Sequence, residues 1–367
     1  MPVLIDRGSN PWRPPSPGTI EVGLLNNMPD AALEATERQF AALLQPAAEN
    51  VTVRLRRFSL PGIARGERTQ RHLDTCYAGI DELWDTPLDA LIVTGTEPRA
   101  PALQDEPYWS ALTEVVDWAS NNTVSTIWSC LAAHAAVLHL DGVERRLLPE
   151  KCIGVFDCAT VGDHPLTHGL ASNFAIPHSR HNELPAAELA ASGYQILSHS
   201  QRAGADTFIK QDRSLFVFFQ GHPEYEVTGL LGEYRRDLGR YLRREREIYP
   251  AMPRGYFDDA TVALLTAFRA RALAERSEEL IAQFPLGEVE RAIKAPWKPA
   301  AARIYRNWLT FVAARKARRP ATATVLPLPR APEARVAPRT VIERRRGVAA
   351  SGALWRGPER RRVSALR

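Results

Sequence analysis

This sequence predicts an α/β fold, a mostly parallel sheet flanked by helices. Three observations carry that reading. Short apolar runs take turns with stretches of helical period through the first 140 residues. The runs TIEVGLL (19–25), DALIVTG (89–95) and TVSTIWS (123–129) are apolar nearly throughout, the composition of strands buried on both faces. The polar residues suited to chemistry fall just past these runs, at the carboxyl ends where open parallel sheets collect their sites.

In chain order, residues 1–17 are rich in Pro, Arg and Ser and are expected to form an irregular arm. A buried strand at 19–25 follows, β-branched, apolar and short. Asn26-Asn27-Met28-Pro29-Asp30 reads as a strand-to-helix turn, with Pro29 or Asp30 opening the helix. Leu33, Phe40, Leu43 and Leu44 then recur at helical spacing over 31–44. Residues 51–58 alternate apolar and basic, like a half-exposed strand. The strand at 89–95 ends in glycine, 108–119 is an amphipathic helix, and 123–129 is a strand. Cys130 follows at once, ahead of an Ala-rich helix at 131–140. The second half offers strands at 152–158, 206–211 and 214–220, the last running into Gly221-His222-Pro223-Glu224-Tyr225. Helices are expected at about 227–247, over the Ala-, Arg- and Glu-rich 258–284, and at 299–315, where Ile304, Trp308 and Phe311 share one side. From 317 onward Pro, Ala, Arg and Val show no sustained period, and a disordered tail is expected over 317–367.

Of the 367 residues, 45% are hydrophobic and 24% charged, which excludes a wholly disordered chain. No apolar run reaches the length of a membrane span, and the N-terminus has no secretory pattern. Four cysteines without CxxC spacing suit neither a disulfide scaffold nor a structural zinc site, so a cytoplasmic location with reduced thiols is expected. The net charge of +5 conceals a division: residues 315–367 carry 15 basic and 3 acidic side chains, leaving the preceding body at −7. The body therefore has no charge signature of a nucleic-acid-binding protein.

Cys130 sits where a buried strand turns into a helix, the geometry of a nucleophile elbow. The helix dipole there favours thiolate, and backbone N–H groups of the same turn, Leu131's among them, suit an oxyanion. The pattern alone leaves an inert core cysteine as the equal alternative, since Ser129 and Leu131 replace the usual glycines. His222 follows the apolar strand SLFVFFQ, with Glu224 two residues on. With Cys130 at a neighbouring strand end, the three residues suit a Cys–His–Glu relay better than a turn histidine bonded to backbone. PHSRHNE (177–183) is a polar cluster between apolar segments. Its spacing fits no standard metal site, and Arg180 is its candidate for gripping a substrate carboxylate. Arg235-Arg236-Asp237 offers a second cationic clamp.

LLNNMP (24–29), TERQF (36–40), IVTG (92–95), YW (108–109), STIWSCLAAHAAVL (125–138), GVFD (154–157), HPL (164–166), PHSR (177–180), QGHPEYE (220–226) and EYRRD (233–237), in this order and spacing, resemble the homoserine O-acyltransferase (homoserine O-succinyltransferase) family. The resemblance covers roughly residues 18–316. It implies a three-layer, flavodoxin-like fold of the class I glutamine amidotransferase kind, with about 259–292 as a helical insertion. It further implies ping-pong acyl transfer in methionine biosynthesis, without a bound cofactor. Cys130 would accept an acyl group from succinyl-CoA or acetyl-CoA, and homoserine or a related amino acid would take it. His222 would be the general base and Glu224 its orienter. Arg180 and Arg236 match the family's arginines for the acceptor amino acid, and Arg99 falls at its acyl-selectivity position. The family's two lysines after Met-Pro, one of which helps hold the oxyanion, are Asp30-Ala31 here, and Lys151 is the first lysine of the chain. Asn26 or Asn27 is the expected substitute donor, and His134 replaces the family's elbow-helix glutamine. Expected partners are the amino acid and acyl-CoA, with a homodimer left open, tail contact with nucleic acid a minor alternative, and no membrane. Two rival readings use the same residues: a glutamine amidotransferase-like hydrolase, and a degenerate body that binds nucleic acid or a partner through the basic tail.

Overall fold

The computed structural model describes residues 3–6, 8 and 18–318. Its large sheet begins with an element the sequence does not announce. Val3–Ile5, inside the segment expected to be irregular, forms β1 and pairs in parallel with β3. Only three residues long, β1 is the sheet's edge, set against β3 so that Val3 pairs with Val53 and Ile5 with Leu55. The sheet orders β1, β3 (Thr52–Phe58), β2 (Thr19–Leu25), β4 (Ala90–Thr94), β5 (Ser125–Ser129), β12 (Leu215–Phe219), β11 (Thr207–Gln211) and β8 (Gln195–Ile196). Pairings from β1 through β12 are parallel; the last two are antiparallel. All residues of β2, β4, β5 and β12 are buried, as their unbroken apolar runs require.

Each face of the sheet meets its own helices. On one, Ile20, Val22, Leu24, Ile92 and Phe219 pack against α1 (Asp30–Ala47) and α10 (Lys298–Lys316) through Phe40, Leu44, Ile304 and Trp308. On the other, Leu91, Val93, Trp128 and Phe218 meet α4 (Trp109–Asn122) and α5 (Leu131–Asp141) through Val115, Val116, Ala133 and Val137. Two further helices on this half, α2 (Glu67–Cys76) and α3 (Ile80–Asp85), are short, and α2 buries no residue, so neither leaves a strong apolar period. α5 stops at Gly142, which takes the left-handed conformation (φ 67°) that ends many helices.

A second, antiparallel sheet orders β10 (Gly204–Ala205), β9 (Ser198–Ser200), β6 (Arg146–Thr160) and β7 (Asn173–Glu183). The PHSRHNE cluster, in sequence a polar stretch between apolar segments, thus lies in a strand. Antiparallel pairing puts Cys152 opposite Arg180 and Gly154 opposite His178. The α6 turn (Ala186–Ala191) leads from this sheet back to β8. A third apolar cluster joins α7 (Gly229–Leu242), α8 (Asp259–Glu275) and α9 (Leu286–Ala292) through Leu230, Tyr234, Leu265, Phe284 and Val289. The helix expected over 258–284 is interrupted at Arg276, held left-handed (φ 37°) with its guanidinium bonded to the Tyr241 and Arg246 carbonyls. No helix among the described residues is long and apolar enough to cross a membrane. The expected disordered tail lies outside the described residues apart from 317–318, and so does most of the arm.

Candidate active site

Cys130 follows β5 and precedes α5 with φ 52° and ψ −112°, a conformation rare outside glycine. Such a residue costs of order 1–3 kcal/mol and persists only where its surroundings fix it. Here its N–H donates to the Phe219 carbonyl at 2.7 Å, and its own carbonyl accepts from Ala133 and His134. The elbow is therefore tied both to β12 and to the first turn of α5. Its thiol is neither fully buried nor disulfide-bonded.

β12 delivers the second group. His222 follows its end, buried, with its N–H donating to the Pro177 carbonyl at 2.7 Å. Nδ1 lies 2.8 Å from Glu224 Oε1, and Cys130 hydrogen-bonds the imidazole. Burial alone would depress this histidine. The charges of Cys130 and Glu224 and the hydrogen bonds to both overcome that and hold it well above its ordinary value. Tyr225 stacks on the ring with centroids 4.3 Å apart, and its hydroxyl donates to Glu233. Glu233 also accepts from Ser179 and from Lys151, 3.3 Å away. Burial would raise this carboxyl, yet Lys151, Ser179 and Tyr225 hold it below the usual range. Glu233 thus braces the ring that braces His222, a part that its place in EYRRD does not disclose.

The oxyanion candidates divide. Both amide hydrogens of Asn26 are spent, on the Leu33 carbonyl and the Tyr77 hydroxyl. Asn27 donates to the Thr94 carbonyl and accepts from the Leu60 N–H. Both side chains are buried and join the ends of β2 and β4 to the loops beside them, and Asn26 has no amide hydrogen left for an oxyanion. The Leu131 N–H opens α5, where the first amides have no carbonyl one turn back. Gly95 makes room beside it: a Cβ there would stand 2.5 Å from Leu131 Cβ and 3.0 Å from its nitrogen. A cation that the sequence does not single out also acts on Cys130 through its charge. Half-buried Arg145 feels the charges of Tyr108, Glu106 and Cys130, which partly offset the lowering that burial imposes on it. Its one sequence signal is position, a few residues past the end of the elbow helix at Asp141.

The predicted substrate arginines fare unequally. Arg180 is buried and donates to the carbonyls of Asn182 and Ala203, while its Nε has no partner. Arg235 lies over the Phe284 ring at 5.4 Å, away from any clamp. Arg236 is more open, its side chain 44% exposed, beside Asp237 at 3.3 Å and Glu233 at 3.7 Å. Arg99 is exposed and lines a cavity of about 320 Å³ together with Pro29, Thr96, Glu106 and Tyr108. His134 hydrogen-bonds Gln220 Oε1 at 3.2 Å and is pushed down to about 3 by burial and by Arg180 and Arg145. Among the described residues, one group has the side chains of a metal site: Cys158, His178 and Asp206, all buried with donor atoms within 4.8 Å.

A family model described as homoserine O-succinyltransferase matches residues 17–319. The chain is 51% identical over 304 residues to a homoserine O-succinyltransferase of Rhodopseudomonas palustris, covering 83% of this chain and 91% of that one. It is 48% identical over 310 residues to one of Methylorubrum extorquens, with 84% and 92% covered. A crystal structure of a glutamine amido transferase from Methylobacillus flagellatus matches over 81% of this chain and 96% of its own, at 15% identity and a TM-score of 0.44.

Proposed function

Since the chain belongs to the homoserine O-succinyltransferase family, and is an acyltransferase on that ground, we propose that it carries a succinyl group from succinyl-CoA to the hydroxyl of homoserine through a thioester on Cys130. The Cys130–His222–Glu224 relay is the observation that supports this reading most directly. The Cys130 thiolate attacks the thioester carbonyl of the donor. The oxyanion forms beside the Leu131 N–H, and CoA leaves as its thiol with the proton of the His222 imidazolium. Neutral His222 then takes the hydroxyl proton of homoserine as that oxygen attacks the acyl group. Cys130 thiolate departs, and the imidazolium is restored. Glu224 keeps the ring oriented through both steps.

Arg145, whose charge and that of Cys130 act on each other, supplies the positive charge that the family's lysine would. Arg236 is the acceptor's carboxylate grip, and two of Arg180's N–H groups brace the Asn182 and Ala203 carbonyls. Arg99 takes the distal carboxylate of the succinyl group, from the wall of the cavity that begins one residue beyond Gly95.

Intact-mass spectrometry tests the reading. Succinyl-CoA should add one succinyl group to the protein, homoserine should discharge it as O-succinylhomoserine, and Cys130→Ala should take up none. An increment that survives Cys130→Ala, or a thioester that water clears as fast as homoserine does, would sink it.

A further inference from the structure

The loop that carries Arg99 runs from Gly95, at the end of β4, to a turn of 3₁₀ helix at Leu103–Asp105. Glu97, Pro98 and Arg99 are exposed, so little apolar burial holds this loop in shape. Its anchors are polar. One is Glu97, which reaches two nitrogens of Arg240 at 3.2 and 3.4 Å. That pair is half in solvent and holds weakly. The other is Glu106, only 4% exposed. A single oxygen, Oε1, accepts the backbone N–H groups of both Arg99 and Ala100, at 2.5 and 2.7 Å.

We infer that Glu106 is a positioning residue for donor choice: its buried carboxylate fixes the backbone from which Arg99 reaches the acyl group. The inference rests on the reading of Arg99 as the donor selector. An arginine fork recognises a carboxylate through two parallel hydrogen bonds and tolerates little misplacement. A long side chain on an unfixed loop spreads its guanidinium over many positions and loses most of that preference. Glu106 removes the freedom at Arg99's own N–H, the atom nearest the root of the side chain. Its charge does not close the cavity to a carboxylate: Oε1 is spent on two amides, and the positive charge of Arg145 offsets it. Tyr108, in the same cavity wall, has a buried hydroxyl with no protein partner, leaving a donor for a ligand there.

The experiment measures kcat/KM for succinyl-CoA and acetyl-CoA on full-length wild type, Arg99→Ala, Glu106→Ala, Glu106→Gln and the Arg99→Ala/Glu106→Ala pair, with a thermal midpoint for each. Arg99→Ala should lower the succinyl-to-acetyl ratio on the order of tenfold or more. Glu106→Ala should lower it several-fold, and the pair no further than Arg99→Ala alone, because a selector already removed cannot be misplaced. Glu106→Gln, whose carbonyl can still accept both amides, should restore most of the ratio. A merely structural role would depress both donors together and leave the ratio where it was. A changed ratio in Arg99→Ala with none in Glu106→Ala overturns this inference and spares the selector. No change in Arg99→Ala overturns the selector, and the inference with it. If Glu106→Ala does not fold, Glu106→Asp, one methylene short of the two amides, replaces it with the same expected outcome.

Discussion

His222 and His178 stand side by side. The N–H of His222 donates to the carbonyl of Pro177, the residue before His178, and both imidazoles are buried. They are nonetheless held in opposite states. Burial depresses each of them first. At His222 the charges of Cys130 and Glu224 and the bonds to both reverse the effect and hold the ring well above its ordinary value. At His178, Arg180 and His222 itself push the same way as burial, and the ring stays well below. The neighbouring acids explain the rest. Glu224 Oε1 lies 2.8 Å from His222, while Asp206 Oδ1 is 3.4 Å from His178 and burial raises its own carboxyl toward the neutral form. Burial therefore does not set the charge of a histidine here; the sign of what faces it does.

The largest effect that would break this comparison is in the rate. His222→Gln keeps a side chain that hydrogen-bonds but cannot shuttle a proton. It should slow thioester formation from succinyl-CoA by about 10²–10⁴-fold. His178→Gln should lower the thermal midpoint and slow the chemistry far less, because a ring held well below its ordinary value does not take up the catalytic proton. Stopped-flow single-turnover rates on both variants decide it. Equal losses would mean that the two rings act as one unit and that their opposite charge states are irrelevant to function.

That pair also separates what a sequence discloses from what only packing decides. Cys130, His222 and Glu224 are placed by backbone: each follows the end of an apolar strand, and strand ends in a parallel sheet meet at one edge. Their coming together needs only the order of the strands. The main strands and the helices α1, α4, α5 and α10 are readable for the same reason, since one apolar period marks each. Asn26 misleads because its role depends on where a side chain goes after the backbone is set. It is expected at the oxyanion, and its two amide hydrogens go to the Leu33 carbonyl and the Tyr77 hydroxyl. β7 is hidden because PHSRHNE mixes buried and part-exposed polar side chains without an apolar alternation, Ser179 among them reaching Glu233. Arg145 gives no chemical signal, as its partners Glu106, Tyr108 and Cys130 are brought to it from other parts of the chain.

A second test sharpens the comparison through stability. His134, like His178, is neutral in the fold, pushed down to about 3 by burial and by two arginines. In the unfolded chain it titrates near 6.5. Between those values the unfolded state binds the extra proton, so the stability present above pH 6.5 is lost as pH falls toward 3. Each pH unit in that window costs roughly 1.4 kcal/mol per such histidine. His222 has the opposite sign: its contribution is full below 6.5 and lost as pH rises through its raised folded value. His134→Gln should therefore lose about 2 kcal/mol less than wild type between pH 7 and pH 5. Urea midpoints at the two pH values measure the difference. Identical losses would place His134 in a setting where its proton is free to enter.

The smallest expected effect concerns the arginines beside the two regions. The charge of Arg145 acts on Cys130 and that of Arg180 on His178, so the pair repeats the contrast at the level of cations. Arg145 is only half-buried, and the lowered basicity that burial brings is offset in part by Tyr108, Glu106 and Cys130. A positive charge near the thiol stabilises thiolate and the developing oxyanion together, but from a partly solvated position. The expected loss in Arg145→Met is about 1–2 kcal/mol of barrier, roughly 5–30-fold in thioester formation, with Arg145→Lys restoring most of it. Arg180→Met should instead lower the thermal midpoint, because it leaves the Asn182 and Ala203 carbonyls without their donors. The two variants need only single-turnover rates and melting curves at one pH. If Arg145→Met forms the thioester at the wild-type rate, the charge acting on the thiol is not what replaces the absent lysine. The Leu131 N–H would then carry the oxyanion with no cation behind it.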